Sequence, residues 1–292
     1  MSADVATVIV NGLVTGCIYG LIGIGFVIIF RATGVVSFAQ GAFMVLGALI
    51  FGSVVNGGGD LAIGMIAVSA ALFIGGGLIY WLVFARLVGS DAFITAVATV
   101  GLGTLIEAIA LLIWGPSTIN IPQQFSFHRH HVVSTLGFSN LEIFTMCLTV
   151  GIFIIVLIGL HRTPVGLRMR AVANNARLAA FTGVNVVTTS ALAWAIAGLT
   201  AGLAGVVYLL GTQPDPGSVY SIGLAALPAI LLGGFDSVPG ALVGGVLIGL
   251  VQAAVAVYIG GAWQDVVAYG VLLAILLVRP QGLFGSAEVA RL

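Results

Sequence analysis

Apolar residues dominate this chain in runs of about 20, and short polar or glycine-rich breaks separate the runs. Nine runs are candidate helical spans, at 5–30, 36–55, 61–84, 92–114, 141–160, 187–210, 220–234, 238–258 and 263–278. A helix of about 20 residues is roughly 30 Å long, which matches the hydrocarbon core of a bilayer. The pattern predicts an all-α integral membrane protein: one polytopic domain, residues 1–292, with about 8 to 10 transmembrane helices.

Two of the nine spans have interruptions. Span 36–55 begins with polar residues and contains Gly41, and span 220–234 is short and contains Pro228. Interrupted spans are typical of broken helices that line a transport path, where protein or water covers the irregular backbone. The same pattern fits two ordinary short helices, and both interpretations are open.

Composition supports the membrane class and limits the possible chemistry. The chain has 60% hydrophobic and 6% charged residues, whereas soluble domains carry about 25% charged residues. The alternating pattern of a membrane β-barrel is absent. Cys17 and Cys147 lie inside predicted spans without CxxC spacing, so we expect neither a disulfide nor a metal site from them.

The arginines predict an orientation, because cytoplasmic loops are enriched in basic residues. With the N-terminus outside and nine spans, Arg129 is external and the C-terminus is cytoplasmic. The other eight basic residues are then cytoplasmic: Arg31, Arg86, Arg162, Arg168, Arg170, Arg177, Arg279 and Arg291.

The loop 162–185 holds four of those arginines and predicts two short helices at the membrane surface. We expect them at 166–173 and 176–183, with a break at Asn174–Asn175. Thr163-Pro164 suits a helix start, and Gly183 suits a helix C-terminal cap. Either the arginines grip a soluble cytoplasmic partner, or they fix the topology and bind anionic headgroups.

Polar residues inside the spans are candidates for a path. Asn11, Thr15 and Tyr19 form a stripe on the first span, and Thr95 and Thr99 share one face of the fourth. Such groups either contact a passing zwitterion or bind neighbouring helices.

Glu107 is the acidic residue well inside a span. A charge at the membrane centre costs about 2.5–3.5 kcal/mol, so we expect Glu107 to face protein or water. It lines a path, pairs internally or couples transport to an ion gradient.

Two further patterns have a simple interpretation. The cluster His128–His131 is expected to be a solvated external loop rather than a zinc site, since adjacent histidines rarely converge on one ion. Small residues four apart predict close helix packing within the chain, with a minority facing a second subunit: Gly16/Gly20, Gly198/Gly202, Ala201/Gly205, Gly240/Gly244 and Gly245/Gly249.

Five segments, in order, resemble the membrane subunits of bacterial branched-chain amino acid ABC importers, the LivH/LivM-type permease family. They are NGLVTGCIYGLIGIGFVIIFRATGVVSFAQGAFMVLGA (11–48), TVGLGTLIEA (99–108), RTPVGLRMRAVANNARLAAFTGVN (162–185) followed by GLTAGLAGVVY (198–208), LLGGFDSVPGALVGGVLIGLVQ (231–252) and RPQGLFG (279–285). The chain departs from the family pattern at Ser37, where the family has Asn, and at Ala176–Arg177, where it often has Pro-Glu.

The resemblance implies an importer in the bacterial inner membrane, built from two homologous permease subunits, two cytoplasmic ATPases and an external substrate-binding protein. It assigns ATPase coupling to loop residues Arg168, Arg170, Ala171, Asn174, Asn175, Ala179 and Gly183. From the polar residues within the spans, we expect the translocation path to involve Asn11, Tyr19, Gln40, Thr99 and Glu107.

The sequence contains no nucleotide-binding or hydrolase motif, so we expect a transport subunit that is not an enzyme, with no cofactor of its own and no nucleic-acid partner. An ion-gradient transporter with Glu107 as coupling site is the alternative, and a purely structural scaffold is disfavoured by the polar residues in the spans. Amino acids, urea, short amides and small carboxylates all remain compatible as substrates.

Overall fold

The computed structural model describes residues 2–121, 129–133, 136–279 and 281–285. Its helices are α1 (Ser2–Thr33), α2 (Gln40–Asn56), α3 (Leu61–Leu82), α4 (Ala92–Trp114), α5 (Asn140–Arg162), α6 (Pro164–Asn174), α7 (Ala176–Phe181), α8 (Val186–Thr212), α9 (Pro216–Ala225), α10 (Leu227–Gly233), α11 (Val238–Tyr258) and α12 (Gln264–Val278). Among these residues, eight helical stretches are long and apolar enough to cross a membrane, and α2 is a shorter apolar helix. The prediction of an all-α polytopic membrane protein is confirmed.

The two interrupted spans are irregular in the structure. Residues 34–39 are not helical, so α2 begins only at Gln40. The seventh span consists of α9 and α10, separated by a turn at Ala226. Pro228 lies in the first turn of α10. Backbone N–H groups of a first turn have no partner within the helix, so the missing N–H of proline costs no hydrogen bond there. The interpretation as a broken helix is confirmed for the seventh span, whereas α2 is an ordinary short helix that continues through Gly41. A role of either span in transport stays a prediction.

The first compact unit contains Met1–Gly23, Phe125–Val150 and Ala225–Leu292. Here α1 and α11 pack against each other through glycines: a Cβ on Gly16 would lie 2.6 Å from the Val246 Cα, and one on Gly249 2.4 Å from the Gly12 carbonyl oxygen. Helix α10 packs on α11 in the same way, through Gly233 and Gly240. Without side chains at these positions, the backbones approach closely enough to gain van der Waals contact.

The second compact unit contains Ile24–Gln124 and Gly151–Leu224. Helix α8 lies at its centre and packs against α2 and α3. A Cβ on Gly47 would lie 2.5 Å from the Gly202 Cα, and one on Gly198 2.6 Å from the Leu72 carbonyl oxygen. The interpretation of the small-residue pairs as packing within the chain is confirmed. Contacts of a few with a second subunit, and the single-domain boundary 1–292, stay predictions.

The connection between α4 and α5 contains a short hairpin. Strands β1 (Arg129–Val133) and β2 (Leu136–Ser139) form an antiparallel hairpin in which His130 is opposite Phe138 and His131 opposite Gly137. Neighbouring β-branched and aromatic residues favour these strands. The expectation that the histidines belong to a solvated external connection rather than a zinc site stays a prediction. His128 lies outside the described residues.

Candidate functional sites

Helices α6 and α7 form the arginine-rich connection between two membrane spans. The Thr163 hydroxyl accepts a hydrogen bond from the Gly166 N–H at 3.4 Å, and Pro164 is the first residue of α6. A side-chain acceptor at the N-cap and a proline at the first helical position both favour a helix start here. The predicted start of the first surface helix is confirmed.

Asn175 forms the junction between the two surface helices. Its backbone N–H binds the Ala171 carbonyl at the end of α6, and its side-chain oxygen accepts from the Leu178 N–H at 3.0 Å. Asn175 has an extended backbone, with φ −163°. One residue thus ends α6 and caps α7, which confirms the predicted break.

Gly183 ends the surface pair, as predicted. Its φ of +84° lies in the left-handed region that glycine adopts without a steric penalty. The Val184 N–H binds the Ala179 carbonyl and the Gly183 N–H binds the Ala180 carbonyl, each at 3.0 Å. These two bonds are those of a Schellman cap, which satisfies the last carbonyls of α7.

The start of α6 is fixed on the end of α5 at Leu160. The Arg170 guanidinium donates a hydrogen bond to the Leu160 carbonyl oxygen. A Cβ on Gly166 would lie 2.4 Å from the Leu160 carbonyl carbon, so only glycine allows this approach. A cation at a helix C-terminus also interacts favourably with the helix dipole.

The surface pair has one face toward its own chain and one exposed face. Met169, Val172 and Ala179 are buried. The exposed face combines the arginines Arg168 and Arg177 with three large apolar side chains, Leu167 (62% exposed), Leu178 (62%) and Phe181 (87%). We call this exposed face the α6–α7 surface.

The predicted coupling residues divide between these two faces. Arg168 and Asn174 are exposed, and Ala171 is half-buried. Arg170, Asn175, Ala179 and Gly183 make the internal bonds described above. Contact of any of them with an ATPase stays a prediction. Ala179 is the least accessible to a partner, because its side chain is buried.

Tyr19, predicted for the path, belongs to a hydrogen-bonded chain in the first unit. Its hydroxyl donates to the Gln252 Oε1 at 2.7 Å, and the Gln252 Nε2 donates to the Asp265 Oδ1 at 3.2 Å. Tyr19 and Gln252 are buried, whereas Asp265 is exposed. Asn11, eight residues before Tyr19, is exposed and is not part of this chain of bonds.

Gln40 and Thr99, also predicted for the path, lie close to the irregular segment 34–39 in the second unit. The Thr99 hydroxyl accepts a hydrogen bond from the Phe38 N–H at 3.0 Å. Gln40 is fully buried, and neither its Nε2 nor its Oε1 has a partner among the described residues; the same holds for the Ser37 hydroxyl. A buried polar group without a partner costs about 1–3 kcal/mol, so this cluster lowers the stability of the fold.

Helix α9 packs on the start of α2 through a pair of glycines. A Cβ on Gly223 would lie 2.4 Å from the Gly41 Cα. One helical turn away, the Tyr220 hydroxyl would be 3.3 Å from a Cβ on Gly103 of α4. Half-buried Glu107 lies one helical turn along α4 from Gly103. Both interrupted spans therefore contribute to the polar region around Gln40.

Several residues of these clusters were missed from sequence. Gln252 is the amide within an otherwise apolar span, and this signal would have identified it. In the sequence, Tyr220 resembles an ordinary aromatic membrane residue. No spacing rule links Tyr19 to a residue 233 positions away. A role in transport for Asn11, Tyr19, Gln40, Thr99 and Glu107 stays a prediction.

Residues 8–276 match the family model described as branched-chain amino acid transport system / permease component. Among curated proteins, the chain is 29% identical to the high-affinity branched-chain amino acid transport system permease protein BraD of Pseudomonas aeruginosa, over 97% of this chain and 96% of BraD. It is 26% identical to the corresponding permease protein LivH of Escherichia coli, over 96% of each chain.

Among solved structures, PsaBC from Streptococcus pneumoniae in complex with Fab is similar in fold, with a TM-score of 0.52. The alignment covers 93% of this chain and 91% of that chain at 13% identity. At this identity the similarity concerns the arrangement of helices alone.

Proposed function

Because this chain belongs to the family of permease components of branched-chain amino acid transport systems, we propose that it is a transmembrane subunit of an ATP-driven importer. Its cargo is a branched-chain amino acid or a similar small polar metabolite. The near full-length similarity to BraD and LivH supports this assignment. The family assignment favours an importer permease over the ion-gradient transporter considered above.

The proposed assembly contains a second homologous permease subunit, two cytoplasmic ATPases and an external substrate-binding protein, in the bacterial inner membrane. The arginine distribution supports an external N-terminus and a cytoplasmic C-terminus. The chain itself performs no chemistry in this scheme, since ATP is hydrolysed by the partner subunits.

The observation that carries the proposal is the α6–α7 surface. Leu167, Leu178 and Phe181 are exposed beside two arginines, on helices whose opposite face is buried against the chain. Aromatic side chains such as that of Phe181, together with arginine, are enriched in protein interfaces. Binding of anionic headgroups alone requires the arginines but not a rigid, capped helix pair. The surface therefore supports docking of a soluble ATPase that transmits its motion to α5 and α8.

Within the membrane, we propose that the polar region around Gln40 and Thr99 contacts the cargo in transit, with Tyr19, Asn11 and Glu107 at other points of the path. Broken helices provide backbone and amide groups at membrane depth without a fixed charge. Weak binding of a zwitterion suits a path that must release its cargo. Selectivity then rests mainly on the external binding protein.

The test is uptake by the purified assembly, with its candidate ATPases, second permease and binding protein, in proteoliposomes. We expect uptake of labelled leucine that requires ATP enclosed in the vesicles, on the side of the ATPase subunits. This uptake should persist when ionophores abolish the ion gradients. Uptake that follows an imposed proton or sodium gradient without ATP would contradict the proposal. Uptake of another small polar solute with the same ATP requirement would change the cargo and leave the mechanism intact.

A further inference from the structure

Two polar side chains are buried without partners where the irregular segment 34–39 meets α2. Ser37 and Gln40 are both 0% exposed, and neither the Ser37 hydroxyl nor the two polar atoms of the Gln40 amide have a hydrogen-bond partner among the described residues. Such full burial also leaves no water-sized space against either side chain. Because buried polar groups in folded proteins are nearly always paired, these two require a physical explanation.

The missing partner of Ser37 follows from the break in the backbone. Thr145, Thr149 and Thr200 are also buried, and each donates to a carbonyl three or four positions earlier in its own helix. Ser37 lies outside any helix, so the regular spacing of helical carbonyls provides no acceptor for it.

The polar neighbours of Gln40 already bind each other. A Cβ on Gly25 of α1 would lie 3.1 Å from the Gln40 Nε2 and 3.0 Å from the Thr200 Oγ1. The Thr200 hydroxyl donates to the Ala197 carbonyl at 3.1 Å. The Gln40 amide is therefore packed beside α1 and α8 without a bond to either helix.

A second buried amide in the chain shows the opposite situation. Gln252 is 4% exposed, accepts a hydrogen bond from the Tyr19 hydroxyl and donates one to the Asp265 carboxylate. Gln40 and Gln252 have the same side chain and are both buried, and they differ in hydrogen bonding. The amide of Gln252 supports the packing around it, whereas the amide of Gln40 disfavours the packing around it.

Helix α9 closes this region through backbone contact with the start of α2. A Cβ on Gly41, the residue after Gln40, would lie 2.9 Å from the Tyr220 carbonyl oxygen, and one on Gly223 would lie 2.4 Å from the Gly41 Cα. No side chains interlock where two glycines meet. Helix α9 has 10 residues and ends at the turn at Ala226. Separation of α9 from α2 at this point would open the packing next to Gln40.

We propose that the packing around Ser37 and Gln40 is the closed form of a two-state element, and that separation of α9 from the start of α2 opens it and hydrates both side chains. The unpaired groups raise the free energy of the closed form, so the open form stays populated. Apolar residues at these two positions would hold the region closed. A role of this opening in the passage of cargo rests on the proposed function, whereas the two-state behaviour does not.

The first experiment compares the two buried glutamines by thermal unfolding of the full-length chain in its purified assembly, in lipid nanodiscs without cargo or ATP. Gln40→Met removes the unpaired amide at similar volume, so the melting temperature should rise by at least about 2 °C. Ser37→Ala removes the other unpaired group without added volume and should raise it as well. Gln252→Met is the matched control and should lower the melting temperature, because it removes a paired amide.

The second experiment measures the opening itself by thiol labelling. With Cys17 and Cys147 replaced by alanine, Ser37→Cys carries the single thiol of the chain. A charged, water-soluble methanethiosulfonate reacts with this thiol only when water reaches it. We expect slow labelling that Gln40→Met slows further by about five- to a hundredfold, the worth of one unpaired buried group. Gln252→Met should not slow it.

Uptake then connects the opening to transport. Gln40→Met should lower the maximal rate of ATP-driven uptake and leave KM unchanged, since it changes the population of the open form and leaves capture by the binding protein intact.

The proposal is overturned if Ser37→Ala and Gln40→Met melt no higher than the wild type, and failure of Gln40→Met to fold counts as a loss of stability. It is also overturned if the thiol of Ser37→Cys is never labelled, or if Gln40→Met leaves the labelling rate unchanged. Stability and labelling are measured without ATP. They therefore decide this inference even where ATP-driven uptake, and with it the proposed function, fails.

Discussion

Gly223 and Gly41 bring two interrupted membrane spans into backbone contact: a Cβ on Gly223 would lie 2.4 Å from the Gly41 Cα. Each glycine lies near an irregular point in its span, Gly41 just after the non-helical segment 34–39 and Gly223 just before the turn at Ala226. The contact holds α9 on the start of α2 beside the unpaired amide of Gln40. Breaks in two distant parts of the sequence thus lie in one packed region.

Gly223→Ala should destabilise the chain by about 1–3 kcal/mol, because the added methyl overpacks this contact. The measurement is thermal unfolding of the purified assembly, together with uptake. Gly151→Ala is the control, since a Cβ there meets nothing within 4 Å and alanine favours a helix. If both variants match the wild type in stability and uptake, the tight contact at Gly223 is refuted.

Arg168 and Arg170 should have separable effects, although the sequence groups them. Arg170→Gln removes the charged donor to the Leu160 carbonyl and should lower stability by about 1–2 kcal/mol. Arg168→Glu changes an exposed side chain, so stability should stay within about 0.5 kcal/mol while uptake falls and ATP hydrolysis loses its stimulation by the loaded binding protein. Thermal unfolding, uptake and ATPase assays of each variant measure the difference.

Normal uptake and normal stimulated ATPase activity in Arg168→Glu would remove the main support for the docking surface. Arg177→Glu provides a second exposed reversal on the same surface. Stability losses confined to Arg170→Gln would identify that residue as a positioning group for α6.

The sequence predicts the α6–α7 region well because its signals are local. Thr163, Pro164, Asn175 and Gly183 each act within a few residues, through caps and backbone conformation, and the structure has all four in the expected roles. The helix boundaries differ by two residues at each outer end, since caps and final turns share hydrogen bonds.

Long-range polar contacts could not be predicted in the same way. The sequence places Tyr19 and Asn11 on one polar face of the first span. In the structure, Tyr19 is hydrogen-bonded to Gln252, whereas Asn11 is exposed. In an apolar span, helical periodicity shows no solvent face, so it does not identify the neighbour of a polar residue. The partner depends on which helices pack together, and that is decided by glycine contacts distributed over the whole chain.

Tyr19→Phe tests the hydrogen-bonded chain of the first unit. Loss of the hydroxyl leaves the buried Gln252 oxygen without this donor, so stability should fall by about 1–3 kcal/mol. Tyr258→Phe, on a side chain that is 59% exposed, should change stability by less than about 0.5 kcal/mol. Equal melting temperatures for the two variants would argue against the bond.

Asp215 should stabilise the start of α9 in a pH-dependent way. Its carboxylate accepts from the Ser218 hydroxyl and, at 3.1 Å, from the Ser218 N–H. These bonds, the hydroxyl first, hold the pKa of Asp215 below its usual value of 3.8. A lowered pKa in the folded state means that the stabilisation is present above pH 3.8 and is lost as the pH falls through the folded-state pKa.

Asp215→Ala should therefore lower stability by about 0.5–2 kcal/mol at neutral pH, the usual worth of a helix cap, and by progressively less in acid. Melting curves of both proteins across this pH range measure it. Asp60→Ala is the matched control, because Asp60 precedes α3 without a side-chain cap bond. A difference between wild type and Asp215→Ala that stays constant into strong acid would contradict the assignment.

Glu107→Gln separates an ATP-driven permease from an ion-coupled one. The carboxylate is half-buried, and glutamine keeps its shape without the charge. In the proposed mechanism no proton or sodium ion moves with the cargo, so ATP-dependent uptake should fall by less than about threefold, as expected when one weak polar contact changes. The assay compares wild type and variant in proteoliposomes with and without ionophore, at two values of internal pH. Abolished uptake in Glu107→Gln, together with ionophore sensitivity in the wild type, would instead identify Glu107 as the coupling site.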